Sequence, residues 1–171
     1  MTMPKGWQKE QIISKKENFN KTNEQISSKN ELTNSIITVD DKLTIQELIA
    51  TYNIAVDNKN IDEWTNTWTD DGTWSTTFGE AKGKPELKNM IEQVTNEFAS
   101  CKRHLSTNII IEDAPNNMAS VKSYLIVTEA KKTPEVVASG TYSDILKKNN
   151  SGSWKFYKRK LDIDLITESN K

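Results

Sequence analysis

Residues 101–111 read Cys-Lys-Arg-His-Leu-Ser-Thr-Asn-Ile-Ile-Ile. The stretch holds the only cysteine, Cys101, and the only histidine, His104, of a 171-residue chain. Polar residues run directly into three β-branched ones, which favour a pleated strand. The stretch therefore reads as a strand that enters a sheet while carrying hydrogen-bonding groups. Alternation puts His104, Ser106, Asn108 and Ile110 on one face and Leu105, Thr107, Ile109 and Ile111 on the other. The polar face either looks at water or lines a pocket. Imidazole is the side chain suited to moving protons near neutral pH, so His104 is a candidate site residue.

From there to the C-terminus the pattern is all strand. The spacing predicts strands over 103–112, 119–130, 135–148 and 153–165. Asp113–Asn117, Lys131–Pro134 and Asn149–Gly152 supply turn chemistry between them. Long sequential strands with short connections predict an antiparallel meander. Upstream the pattern is mainly helical. Ile45, Leu48, Ile49, Tyr52 and Val56 fall on one helical face, with Asp40, Asp41 and Thr44 as caps and a turn at Asp57–Asn60. Asn60 and Glu63 suggest a capping box for a second helix, Ile61–Trp68, that carries Trp64 and Trp68. A turn at Thr69–Gly72 leads to a strand, Thr73–Phe78, closed by Gly79–Gly83. Pro85 suits the first turn of a third helix striped by Leu87, Met90, Ile91, Val94 and Phe98. Helices followed by such a sheet make an α+β domain.

Residues 1–40 differ: polar, with apolar residues only as isolated points. They read as an N-terminal arm whose Trp7 or Phe19 could anchor on a neighbouring subunit, and 41–171 as the domain. Hydrophobic residues make up 35 % and the net charge is −1. That balance argues against a nucleic-acid partner, which calls for a basic surface. One cysteine gives no internal disulfide framework, and one cysteine with one histidine argues against a structural zinc site. No apolar run reaches the roughly 20 residues that span a bilayer, and the start of the chain lacks the apolar core of a secretory signal. The expectation is a cytoplasmic protein without a membrane partner. No Gly-rich phosphate loop suggests a nucleotide cofactor.

Other residues could join His104. Asp57 sits at the expected C-terminal end of the first helix, where the macrodipole disfavours a carboxylate by up to about 1 kcal/mol. It either starts the turn or is aimed at a partner, and the helix must end or turn before it can face a pocket. Gly140, Tyr142 and Asp144 share a strand face. Tyr142 can donate a hydrogen bond, and Asp144 can orient a base or pair with Arg159. Tyr52, Trp64, Trp68, Trp74 and Phe78 suit a core or the apolar wall of a ligand pocket equally well. Cys101, with no partner, reads as a small buried residue.

These pieces, in order, resemble the SnoaL-like branch of the nuclear transport factor 2-like superfamily. The resemblance runs from about Leu43 to Asp164. It rests on the first helix with Tyr52, Asp57 and Trp64, the turn Trp68–Trp74, Gly83 before the third helix, the strand Arg103–Asn108, and Gly140–Asp144 and Trp154–Arg159. It implies a cone: a curved antiparallel or mixed sheet wrapped against three N-terminal helices, with a pocket open at the wide end and a homodimer through the outer sheet face. In relatives similar to scytalone dehydratase an aspartate ending the first helix and a histidine on the strand after the third helix act together. Asp57 and His104 match those positions. A second histidine of that dehydratase has no counterpart, and the tyrosine before its aspartate is Val56 here.

The expected function is therefore a cofactor-independent lyase or isomerase acting on a small cyclic or aromatic-like molecule. In it His104 moves a proton and Asp57 holds it. Tyr142, Asn108 and Asp144 contact the substrate, and Tyr52, Trp64, Trp68 and Trp74 form the wall. Two rivals stand beside it: a non-catalytic ligand-binding or dimerisation module of the same fold, and a dimeric platform whose N-terminal arm carries the function.

Overall fold

The computed structural model describes residues 37–96, 102–129 and 135–166. All belong to one unit of the chain, Ser35–Lys171. The arm anchors Trp7 and Phe19, the stripe residue Phe98 and Cys101 lie outside the described residues.

Helix α1 spans Val39–Asp57 and buries Ile45, Ile49, Tyr52 and Val56, as their spacing predicts. Its N-cap is Thr38, not one of Asp40, Asp41 and Thr44. The Asp41 N–H donates to Thr38 Oγ1 and the Thr38 N–H donates to Asp41 Oδ2, each at 3.1 Å. This reciprocal box satisfies two backbone donors at once, which a lone carboxylate in the first turn does not. Asp41 also accepts from Lys148 Nζ at 2.7 Å and Trp154 Nε1 at 2.9 Å. It thereby ties the start of the helix to the last hairpin.

The other end of α1 closes abruptly. The Lys59 N–H donates to the Val56 carbonyl at 3.0 Å and the Asn60 N–H to the Ala55 carbonyl at 2.8 Å. Lys59 is left-handed, with φ of 55°. This is a Schellman closure with lysine where glycine is usual. It makes Asp57 the last helical residue.

Helix α2 spans Ile61–Asn66, shorter than predicted. It stops because the Phe156 N–H donates to the Thr67 carbonyl at 2.9 Å, drawing the chain into the sheet. Trp68 therefore starts strand β1, Trp68–Thr76, instead of ending a helix. Gly79–Lys82 forms a further strand, β2, antiparallel to β1. Helix α3 follows over Gly83–Asn96 and buries Leu87, Ile91 and Thr95. Strands β3 (Lys102–Ala114), β4 (Met118–Glu129), β5 (Glu135–Lys148) and β6 (Trp154–Ile166) form the expected meander. The full sheet has the order β2-β1-β6-β5-β4-β3. The β1–β6 pairing is parallel, which makes the sheet mixed. It is curved and unclosed, with three helices packed on it, α1 along β3 and α3 along β1. Among the described residues no helix is long and apolar enough to cross a membrane.

The core is aromatic. Tyr52 lies 5.3 Å from Trp64 and 5.2 Å from Phe156 between ring centres, and Trp64 lies 5.4 Å from Trp68 and 5.5 Å from Trp74. Tilted and edge-on pairs of this kind add about 0.5–1.5 kcal/mol each beyond the area they bury. Within this cluster lies a charge. Arg159 Nε and Nη2 donate to the two carboxylate oxygens of Asp144 at 2.9 and 2.8 Å, and both side chains have 0 % exposure. The guanidinium carbon lies 3.9 Å from the Tyr142 ring centre, 4.1 Å from that of Phe156 and 4.2 Å from that of Tyr52. Burial opposes the charge on Arg159, but Asp144 outweighs it and the guanidinium keeps its proton above its ordinary range.

Removing one partner of a buried ion pair strands the other charge. Asp144→Ala and Arg159→Met are each expected to cost about 3–5 kcal/mol in urea unfolding. The double variant Asp144→Leu/Arg159→Met should cost less than the sum of its parts, and strict additivity would show that the pair is not coupled. A second prediction concerns acid. Lys148 above all, then Trp154 and Thr38, hold the Asp41 carboxyl far below the usual carboxylate range against the opposing effect of burial. Its folded pKa lies below the unfolded value of about 3.9, so its contribution is complete above that value and is lost as pH falls through it. Asp41→Asn should lower stability at pH 7 by about 1–3 kcal/mol and flatten the decline between pH 4 and 2 that urea titrations of the parent protein should show.

Candidate active site

Asp57 and His104 meet where α1 ends beside β3. Asp57 Oδ1 lies 2.7 Å from His104 Nδ1, and the two carboxylate oxygens accept the His104 backbone N–H at 3.1 and 3.2 Å. One carboxylate thus grips both the ring and the main chain of the histidine. An ionised carboxylate only accepts, so Nδ1 carries the proton and the lone pair of the neutral ring is at Nε2. The side chains are 8 % and 11 % exposed. Asp57 is the last helical residue, and its place one turn after Asn53 aims it at the strand without any need for the helix to turn first. Four residues earlier on the helix, Asn53 Nδ2 donates to Ser106 Oγ at 3.0 Å. Helix and strand are therefore joined by two polar rungs, Asn53–Ser106 and Asp57–His104.

The face expected to unite His104, Ser106, Asn108 and Ile110 breaks after Ser106. The pairing of β3 with β4 shifts register between Thr107 and Ile110, and Asn108 is left-handed with φ of 53°. A bulge of this kind adds a residue to one strand and reverses which residues point inward. Ile109 and Ile111 pack against the core, while Ile110 is 58 % exposed and Asn108 is also exposed.

His104 lines a cavity of about 320 Å³. Its walls are largely apolar: Met90 and Val94 from α3, Leu125 and Val127 from β4, Val137 and Ala138 from β5, and Leu161 and Ile163 from β6. Trp74, Thr76 and Phe78 close one side, and Lys102 and Ser139 add polar groups. The pairing of β4 with β5 shifts between Val127 and Thr128 and leaves Val137 as an extra residue on β5, and Val137, Ala138 and Ser139 all reach the wall. A Cβ on Gly140 would stand 2.6 Å from the Asp162 carbonyl oxygen, so only glycine allows the strands to approach as they do.

Of the residues singled out in the sequence, His104, Trp74 and Phe78 border this cavity and Asp57 supports it from behind. Tyr52, Trp64 and Trp68 belong to the aromatic core instead. Tyr142 packs beneath the wall against Leu125, Val127 and Leu161. Burial raises the phenols of Tyr52 and Tyr142 above their ordinary values, so both stay protonated. Asp144 is occupied by Arg159, and Asn108 faces outward at the bulge. Lys102, Asn53, Thr76 and Ser139 were not singled out. Lys102 had a legible signal, since it precedes His104 by two residues on the same strand face. Asn53 had one too, four residues before Asp57. A larger, open groove of about 700 Å³ runs elsewhere, bordered by Glu47, Glu63 and Lys155, apart from the His104–Asp57 pair. Among the described residues no group of three or more His, Cys, Asp or Glu side chains could hold a metal ion.

Residues 38–160 match the model of the SnoaL-like domain. The chain belongs to that family. A protein of unknown function with a cystatin-like fold from Nostoc punctiforme is 32 % identical, over 75 % of this chain and 95 % of that one, at a TM-score of 0.70. A protein from Novosphingobium aromaticivorans, provisionally named a scytalone dehydratase, is 21 % identical over 78 % of this chain and 90 % of its own, at a TM-score of 0.67. LinA is 20 % identical over 77 % and 91 %, also at 0.67. At those two identities the likeness shows the fold. Among curated proteins no sequence matches significantly.

With a single histidine in the chain, its NMR signals are unambiguous. The Nδ1 proton should resonate far downfield and exchange slowly in the parent protein. Asp57→Ala should abolish that resonance and cost about 1–3 kcal/mol of stability, the cost of leaving a buried donor unmet. A downfield proton that persists in Asp57→Ala would show that another group orients the ring.

Proposed function

We propose that this SnoaL-like protein is a cofactor-independent lyase or isomerase that moves a proton on a small cyclic or aromatic-like molecule. The observation that carries the reading is the 2.7 Å His104–Asp57 contact at the wall of a largely apolar 320 Å³ cavity. That volume lies at the small end of the range for small-molecule sites. His104 Nε2 takes a proton from a carbon of the substrate, and the Asp57 carboxylate stabilises the imidazolium that results. The proton is then returned at another carbon, or leaves with a hydroxyl as water. The hydroxyls of Thr76 and Ser139, in place of Tyr142 and Asn108, border the space for substrate oxygens. Trp74 is the member of the expected aromatic wall that does so.

Names among the structural relatives, such as the provisional scytalone dehydratase, accord with dehydration or isomerisation. A non-catalytic binding module calls for no such pair, and a histidine held by a carboxylate at a cavity wall favours catalysis over it. The same reading includes a homodimer through the outer sheet face, where Leu105, Ile110 and Tyr124 are exposed. It also includes a reducing, cytoplasmic setting suited to a chain with one cysteine.

A thermal-shift screen of cyclic ketones, phenols and steroids should find ligands. A compound present at about 100 times its dissociation constant stabilises by about 2.7 kcal/mol. On a substrate so identified, His104→Gln and Asp57→Asn should each reduce kcat by about 10²–10⁴. Full turnover by both variants would end the acid–base reading.

A further inference from the structure

Lys102 precedes His104 by two residues on β3, so the two side chains leave the same face about 6.6 Å apart along the strand. Both line the apolar cavity. The Lys102 side chain is 13 % exposed, and its Nζ lies 4.0 Å from Oε1 of Glu129, its cross-strand neighbour. An ammonium has three N–H donors and can serve a carboxylate and a ligand oxygen together. Val127, Val137 and Ile163 make the lining apolar, so a charge brought into the cavity is weakly screened, although Glu129 offsets part of the ammonium's field.

We propose that Lys102 recognises the ligand oxygen that carries or develops negative charge, and that the site selects apolar carbonyl compounds by that oxygen. The assignment rests on the acid–base reading above. When His104 Nε2 takes a proton from the carbon beside a carbonyl, the C–H electron pair forms a C=C bond and the carbonyl π pair moves to oxygen. Lys102 holds that oxygen. Where the substrate has a C=C bond at the β,γ position, the electrons return through it when the imidazolium gives its proton to the γ-carbon, leaving the double bond at α,β and completing an isomerisation. They return equally when a β-hydroxyl departs with that proton as water, completing a dehydration. Lys102 acts on binding and on the enolate, and it is not the base.

The test is calorimetric titration of the full chain with cinnamate and with cinnamamide, which share a shape and differ in charge. The parent protein should prefer the carboxylate by about tenfold, the size of one charge-assisted hydrogen bond shared with Glu129. Lys102→Met should erase the preference by weakening cinnamate far more than the amide, and Lys102→Arg should restore it. Glu129→Gln should increase it, because the ammonium no longer divides its attention, and this variant carries the test if Lys102→Met does not fold. Amide binding without a carboxylate preference in the parent protein, or a preference that survives Lys102→Met, overturns the assignment and leaves the acid–base site standing. Binding of neither compound removes the apolar-ligand reading together with the role of Lys102.

Discussion

A guanidinium held by a carboxylate in a dry aromatic core fixes the geometry of everything around it. Arg159 on β6 stands opposite Asp144 on β5. A slip of one residue between those strands would turn one charge to the other face, leaving its partner alone among the aromatic rings. No intermediate arrangement serves, because each charge is costly alone. Register at this one pair therefore sets register from Gly140 to Ile145, between the two shifts in this pairing. It places Tyr142 opposite Leu161 and Gly140 opposite Ile163, and those positions bound the cavity.

Following the inward face of β5 away from the ion pair explains why there is a cavity. The side chains run Asp144, Tyr142, then Gly140, with Ala138 and Ser139 beyond it. From Tyr142 to Gly140 they shrink. Rings fill the space near Arg159, and small residues leave it vacant near His104. The ion pair, the largest structural expense in the core, and the open volume are two ends of one gradient in side-chain size. Asp41 anchors the opposite end of α1 and keeps that helix along β3.

Most of the fold was legible because its signals are local. Strand limits in the second half agree with the sequence pattern to within about two residues, since turn chemistry brackets each strand. The first half was harder. Trp68 looked helical beside Trp64, and only the Phe156–Thr67 hydrogen bond, between residues far apart in sequence, takes it into the sheet. For the site, His104 and Asp57 were visible as types and positions, but their contact depends on how α1 lies along β3, which brings Asn53 and Asp57, one turn apart, to Ser106 and His104. Asn108 was placed with His104 by alternation, and a bulge defeats alternation without leaving a glycine to announce itself. The destination of Asp144 could not be read from its strand alone, because an ion pair looks the same in sequence whether it is wet or dry. The aromatic residues were ambiguous for a related reason: core and pocket wall call for the same side chains.

The two polar rungs between α1 and β3 carry one more implication. Four residues of helix advance about 6 Å and two residues of strand about 6.6 Å, so the elements are nearly commensurate, like two rulers with almost matching divisions. Asn53 meets Ser106 and Asp57 meets His104 because one division of each ruler coincides with the other. The next division inward falls at Ile49 and Asn108, where the bulge throws the strand out of step. The next outward reaches Lys102 on the strand, but the helix has already ended. The strand outruns the helix by a single division. Lengthening α1 by one turn would extend the scale to Lys102, so the end of the polar ladder is set by a difference in length between two secondary-structure elements.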